Sequence, residues 1–364
     1  MSMTNGVFKS LDPRKITNSV KVLSEQIPIT GTIISGTYGT FPSESNVKFF
    51  TSTNDHIDVY DYPYASSSAN FMFSMTAGYA SGVTTPQPNL EKSLKNNIYR
   101  QFSQQYVGYD TNQNPVEFNA SGVLNPANTF PPKYTSGIFI NFSRTLAKDE
   151  IRKGSFKITI GTGSFNDPFV GTKVFSDAHV VEGNESTYKT NSPMGEYALL
   201  QEGTGSTVPD SSLNGLLYYQ AGLLVLVPRQ EVFGSELTSG SAFATTTALD
   251  PEAALLSASV NDISNGVRHH IQNIEFNNVT ELNSTSYFAT AEPNEFNYSN
   301  NPSFVSGSQI VVKNGSAKNP SVTYITSVGL YSPDNQLLAV GKVSEPLKKT
   351  TDGAPITLRL RIDY

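Results

Sequence analysis

The densest set of side chains able to hold a metal ion lies in Asp55-His56-Ile57-Asp58-Val59-Tyr60-Asp61. Hard cations gather several carboxylates, so Asp55, Asp58 and Asp61 are the candidate ligands of a structural cation. The spacing is not that of an EF-hand loop, and no glycine stands at its turn. On an extended strand Asp55 and Asp61 point to the opposite side from Asp58. A solvated sheet edge is therefore the first expectation here and a calcium ion the alternative. No bound metal and no cofactor are expected of the chain as a whole.

The sequence carries none of the common catalytic motifs. There is no cysteine, which removes thiolate nucleophiles, thiolate metal sites and disulfides together. The sequence has no G-x-S-x-G elbow, no H-E-x-x-H and no G-x-x-x-x-G-K-[ST]. Gly161-Thr162-Gly163-Ser164 superficially resembles a phosphate loop. It lacks the lysine, and Pro168 follows where a helix would have to continue, so a strand-end turn is expected. The four histidines are His56, His179, His269 and His270. Neighbours on a helix point about 100° apart, so His269 and His270 cannot easily share a metal. A capping or packing role is expected, with a cation favoured at the helix end by its dipole. Glu150, Glu185, Glu202 and Glu292 are scattered without acid/base spacing. No enzyme is expected.

Tyrosines are numerous, and Tyr60, Tyr62 and Tyr64 fall at alternate positions beside the aspartates. Tyrosine suits interfaces and can also stack sugars. With no tryptophan in the chain, an interface is the stronger expectation for these three.

Charged residues are only 15% of the 364, while 37% are hydrophobic. A core can form, and Ser, Thr, Asn and Gly dominate the remainder. Such a surface is cheaper to desolvate than a charged one and suits broad protein contact, although turn-rich β proteins need the same residues. The net charge of −6 and the lack of a basic cluster longer than Lys348-Lys349 argue against nucleic acid as a main partner. Met1 to Ser10 has no cationic region followed by an apolar run, so no signal peptide is expected. The longest apolar stretch, around Leu223 to Val227, is too short for a membrane span.

The elements that must position these residues read as mainly β. Residues 1–88 suggest an N-terminal β arm or small subdomain, and 89–135 a helix and loop connection. Residues 136–364 suggest the main β domain, an antiparallel sandwich or jelly-roll-like core with two packed helices. The first helix follows Asn89, with Leu90, Leu94, Ile98, Phe102 and Tyr106 on one face and Gly108 after its end. The second is expected to open at Asp250 with Pro251 next, and to carry Leu256, Val260, Ile263, Val267 and Ile271 as its stripe. Phe156, Ile158 and Ile160 alternate as on a half-buried strand. Leu216–Tyr219 and Leu223–Val227 are two buried strands, or one with a bulge at Gly222. Val322, Tyr324, Val328 and Leu330 are expected on one strand face, with a turn at Ser332-Pro333-Asp334-Asn335. Ile356, Leu358, Leu360, Ile362 and Tyr364 alternate to the last residue and are expected to tie it into the core.

From about Asn96 onward the chain resembles virion structural proteins of tailed bacteriophages, of the T4-like and marine cyanobacterial myovirus type. The resemblance rests on Asn96-Asn97-Ile98-Tyr99-Arg100-Gln101, Ile140-Asn141-Phe142-Ser143-Arg144 and Leu146-Ala147-Lys148-Asp149-Glu150-Ile151. It continues through Asn191-Ser192-Pro193-Met194-Gly195-Glu196-Tyr197, Tyr219-Gln220-Ala221-Gly222, Glu295-Phe296-Asn297-Tyr298-Ser299 and Tyr324-Ile325-Thr326-Ser327-Val328-Gly329-Leu330-Tyr331. Gly329-Leu330-Tyr331 with Leu337-Leu338-Ala339-Val340-Gly341-Lys342 and Pro346-Leu347-Lys348 is similar to a hairpin of tail-fibre and baseplate proteins. The resemblance implies a tail, baseplate or neck component, with a capsid or decoration protein as alternative, and no catalytic residues. The expected partners are copies of itself, in a closed ring, and other phage virion proteins, in a virion assembled in the host cytoplasm. A receptor- or glycan-binding virion module is the rival from another class.

Overall fold

The structure is a computed structural model that describes residues 9–28, 44–80, 89–119, 133–207, 214–234, 236–237, 255–299, 301–312, 316 and 318–364. Its strands are β1 (Ile16–Pro28), β2 (Val47–Phe49), β3 (Ile57–Tyr60), β4 (Phe71–Tyr79), β5 (Phe118–Asn119), β6 (Lys133–Tyr134) and β7 (Ser136–Phe142). They continue with β8 (Glu150–Ile151), β9 (Lys157–Gly161), β10 (Thr172–Ser176), β11 (Lys189–Ser192), β12 (Gly195–Leu199), β13 (Gln201–Glu202), β14 (Gly215–Tyr218) and β15 (Leu223–Leu226). The last six are β16 (Ile271–Ala291), β17 (Val305–Ser306), β18 (Gln309–Ile310), β19 (Val322–Tyr331), β20 (Leu337–Thr350) and β21 (Ile356–Asp363). Two longer helices are α1 (Asn89–Tyr106) and α2 (Val260–His270). The protein is mainly β and its named strand pairings are antiparallel.

The chain divides into two compact units, Leu23–Thr280 and Met1–Val22 with Glu281–Tyr364. These do not follow the expected boundaries at 88 and 135. The reason is long-range pairing: β2, β3 and β4 join an eight-stranded sheet ordered β11-β12-β14-β15-β7-β4-β3-β2, with Met75 opposite Ile140. Residues 81–88, expected as a boundary, lie outside the described residues.

In the first unit that sheet is covered on both faces. One face meets β9, β10 and the start of β16 in a core that includes Phe73, Met75, Ile140, Leu224, Phe156, Ile158 and Phe276. The other face carries Phe139, Tyr197, Tyr218 and Val225 and packs with Ile98 and Tyr99 of α1. Strands buried on both faces need apolar residues at every position. That is why β7, β14 and β15 read as runs. β14 and β15 are two strands of a hairpin, with Gly222 at φ +66° in the connection.

α1 has the expected bounds, but Leu90 is 81% exposed and the packed face runs through Leu94, Ile98, Phe102 and Tyr106 with Tyr99. α2 is capped by the Ser259 side chain, which accepts from the amide of Asp262; the expected Asp250 and Pro251 lie outside the described residues. Ile271 is already the first residue of β16.

The second unit is built differently. Among its described residues Ala291 is the one buried apolar side chain, and none of its residues belongs to either apolar core. β21 pairs with the second half of β16 from Ser284↔Asp363 to Ala291↔Ile356. The expected burial of the C-terminal strand is corrected here: Ile356, Leu358, Leu360 and Ile362 are half-buried and Tyr364 is 74% exposed. Alternation gives them a common face, on which Leu360 reaches Gly341 of β20, but none of the four is fully buried. β19 and β20 form a two-stranded ribbon with a register shift between Ile325 and Ser327. That bulge breaks the expected face. Ile325, Val328 and Leu330 are half-buried, whereas Tyr324 is 60% exposed.

Candidate functional site

The Asp55–Asp61 segment is half turn, half strand. Asp55 precedes β3 and accepts from the Thr53 hydroxyl at 2.6 Å. Its Oδ1 lies 2.8 Å from His56 Nδ1, while Asp58 Oδ1 lies 3.7 Å from His56 Nε2. The two carboxylates thus bracket one imidazole, which stacks on Phe50 at 4.1 Å. Burial raises the Asp58 carboxyl above its usual range; at Asp55 burial acts in the same direction but the Thr53 and His56 hydrogen bonds outweigh it and lower it. Asp61 is turned to other work, accepting from the backbone amide of Asn70 at 2.6 Å and its side-chain amide at 2.8 Å. The three candidate ligands therefore do not converge. Among the described residues no group of three or more His, Asp or Glu side chains is placed to hold a metal ion.

What Asp61 does instead is shape a loop. The 61–70 connection is closed by Asn70, and Tyr64 donates its amide to the Ser45 carbonyl at 3.0 Å. Asn46 adds a bond from its side-chain amide to the Asp61 carbonyl. This pinned loop holds Tyr62 and Tyr64 in water, 60% and 49% exposed, while Tyr60 packs edge-on against Phe71. It stands beside β2, the last strand of the eight-stranded sheet among the described residues. At the other end of β2, the Asn54 side chain donates to Glu91 at 3.2 Å, tying the β2–β3 turn to the start of α1.

Burial disfavours the cationic form of both histidines at the end of α2. Burial lowers His269 to about 4, helped by Arg268 and His270, and burial lowers His270 as well. The dipole expectation loses to desolvation, and the buried Arg268 brings the cation. His270 Nδ1 lies 2.9 Å from the Gly266 carbonyl and His269 stacks on Phe165 at 4.2 Å, so the rings diverge. Gly161–Ser164 is a strand-end turn in which two amides are spent internally. Thr162 donates to the Gly171 carbonyl and Gly163 to that of Pro168, both at 2.8 Å.

A charged network that sequence spacing did not signal sits in the same unit. Lys153, 3% exposed, reaches Glu196 at 2.9 Å, Glu182 at 3.2 Å and Glu150 at 3.4 Å. Burial alone would lower the Lys153 ammonium; the three carboxylates outweigh it and raise it above the usual lysine range. Lys95 is also buried, donating to the carbonyls of Leu255 and Ala258, and burial brings it down to about 8. Both serve as internal ties. Lys153 also lines an open cavity with Arg152, Ser155, Lys157 and Glu275, but its ammonium is engaged by the three carboxylates.

No family model, curated protein or solved structure matches this chain.

The remaining surface of note belongs to the second unit. On the β19–β20 ribbon the outward side chains include Tyr324 and, along β20, Leu338, Val340, Lys342 and Lys348. Leu338 and Val340 are 61% and 54% exposed. Leu337 is 53% exposed as well, because a second register shift opposite Leu337–Ala339 breaks the alternation there. Among the described residues no helix is long and apolar enough to cross a membrane.

Proposed function

We propose that this chain is a non-catalytic structural protein of a tailed-bacteriophage particle, a tail, baseplate or neck component. It assembles with copies of itself and with other virion proteins in the host cytoplasm. The observation that carries self-assembly is the second unit, Met1–Val22 and Glu281–Tyr364, which among its described residues buries one alanine and otherwise polar groups. Apolar burial is the main stabilising term in folding, and a two-stranded ribbon alone is marginal in water. A unit of this kind, whose apolar side chains are half-buried or exposed, gains further cover from a neighbour. The virion setting is supported by the segments that resemble phage structural proteins, and by the low charge of the surface.

Tyr62 and Tyr64, exposed on a loop pinned by Asp61, also suit a receptor- or glycan-binding module. Sedimentation equilibrium and native mass measurement test the main proposal, with a closed oligomer expected. A chain that stays monomeric at every concentration would sink it, and saturable glycan binding lost in Tyr62→Ala would favour the second possibility.

A further inference from the structure

We infer that the outer face of the β19–β20 ribbon of one copy docks on the β2–β3 edge of the next, in a head-to-tail contact. This rests on the self-assembly proposed above and names its two surfaces.

The ribbon face needs cover. Tyr324, Leu338 and Val340 lie on it at 60%, 61% and 54% exposure, with the cations Lys342 and Lys348 among them and one exposed carboxylate, Glu345, on the same strand. Apolar side chains concentrated on a coreless unit, set between cations, suit a partner that is apolar and anionic. The charge of the chain is divided in that sense. Eleven of the 25 Lys and Arg, but only eight of the 31 Asp and Glu, lie in the unit Met1–Val22 and Glu281–Tyr364, a net +3. The other fourteen and 23 leave Leu23–Thr280 at −9. Two ribbons brought face to face would juxtapose like charge, whereas a ribbon on the larger unit of another copy joins opposite charge.

Within that larger unit the β2–β3 edge combines both requirements. Tyr62 and Tyr64 are exposed at one end of it at 60% and 49% and Leu90 at the other at 81%, and the carboxylates Asp55, Asp58, Asp61 and Glu91 outnumber the cations Lys48 and Lys92 there. The loop carrying the tyrosines is already fixed by Asp61, Asn70, Ser45 and Asn46, so docking need not order it. Aromatic residues held rigid at an interface are the side chains that carry most binding energy. Because the two surfaces differ, the contact is heterologous, and it closes only as a ring or runs on as a filament.

The chain has no cysteine, so each single-cysteine variant carries one unique thiol. Full-length Tyr62→Cys and Leu338→Cys chains, co-assembled and treated with a short bis-maleimide, should give a covalent dimer in the mixture, and neither variant alone should. In parallel, Lys342→Glu with Lys348→Glu should weaken association at least about tenfold at low salt, with the folded chain unchanged by circular dichroism. An oligomer in which Leu338→Cys links to itself, or in which the mixture does not link, overturns this docking and leaves self-assembly standing. A chain monomeric throughout overturns both.

Discussion

The Tyr219 hydroxyl donates to Asp177 Oδ2 at 2.8 Å, and neither side chain is exposed to solvent. Asp177 lies just after β10 and also accepts from the amides of Gly154 and Phe156, both at 2.8 Å. It therefore fastens the β8–β9 connection beneath the hairpin that carries Tyr219. Burial pushes its carboxyl up from 3.8 to about 6, and these three donors offset only part of that. Between those two values the folded protein keeps a proton that the unfolded chain has released. The group's contribution to stability is thus greatest below pH 3.8 and falls as pH rises to about 6, a loss of about 3 kcal/mol. Asp177→Asn removes this slope. Urea unfolding at pH 4, 5.5 and 7 should show wild type losing ground to the variant across the series, and parallel profiles would contradict it.

Lys153 is the hub of a network with one cation and three carboxylates. Lys153→Met leaves Glu150 and Glu196 partly buried, close together and unneutralised. We expect a loss of about 3 kcal/mol at pH 7, the low end for a broken buried pair, because Glu182 is 66% exposed and loses little. The loss should shrink at pH 4, where Glu150, raised by its burial, takes up a proton readily. An equal loss at both pH values, measured by urea unfolding, would count against the ionic account.

The strands legible in the sequence were those whose neighbours leave no choice of residue. β7, β14 and β15 are covered on both faces and show as apolar runs; β9 is covered on one and shows as alternation in Phe156, Ile158 and Ile160. β16 is not legible because it is half-covered along much of its 21 residues, so Asn, Thr and Ser interrupt any period. The N-terminal strands look like an arm in the sequence because nothing local says that Met75 lies opposite Ile140. At the candidate site the exposed tyrosines were legible by type. The roles of Asp61, Lys153 and Asp177 were not, since a carboxylate closing a loop and one under a buried tyrosine have the same sequence appearance.

α1 lies against β4 at a point where only glycine fits. A Cβ at Gly78 would stand 2.6 Å from the Lys95 carbonyl oxygen and 2.8 Å from the Tyr99 amide nitrogen. Both are backbone atoms, so the helix itself would have to move. Gly78→Ala should cost about 2 kcal/mol by overpacking, despite alanine's better strand entropy. A melting temperature unchanged from wild type would show that α1 is free to shift.

The C-terminal strand is held by pairing more than by burial, and the two attachments give different mutational responses. β21 covers β16 over eight residue pairs, yet its apolar positions are half-buried. Leu358→Ala should therefore cost under about 1.5 kcal/mol in the isolated chain, whereas Ile158→Ala, from the closed core of the larger unit, should cost about 2–5 kcal/mol. Deleting residues 356–364 is a different matter. It leaves the backbone groups of Ser284–Ala291 facing water along a continuous strand, which is a template for pairing with another chain. The truncated protein should aggregate while keeping the larger unit's near-ultraviolet circular dichroism. A monomeric truncation by size-exclusion chromatography would mean that the edge of β16 is protected by something other than β21.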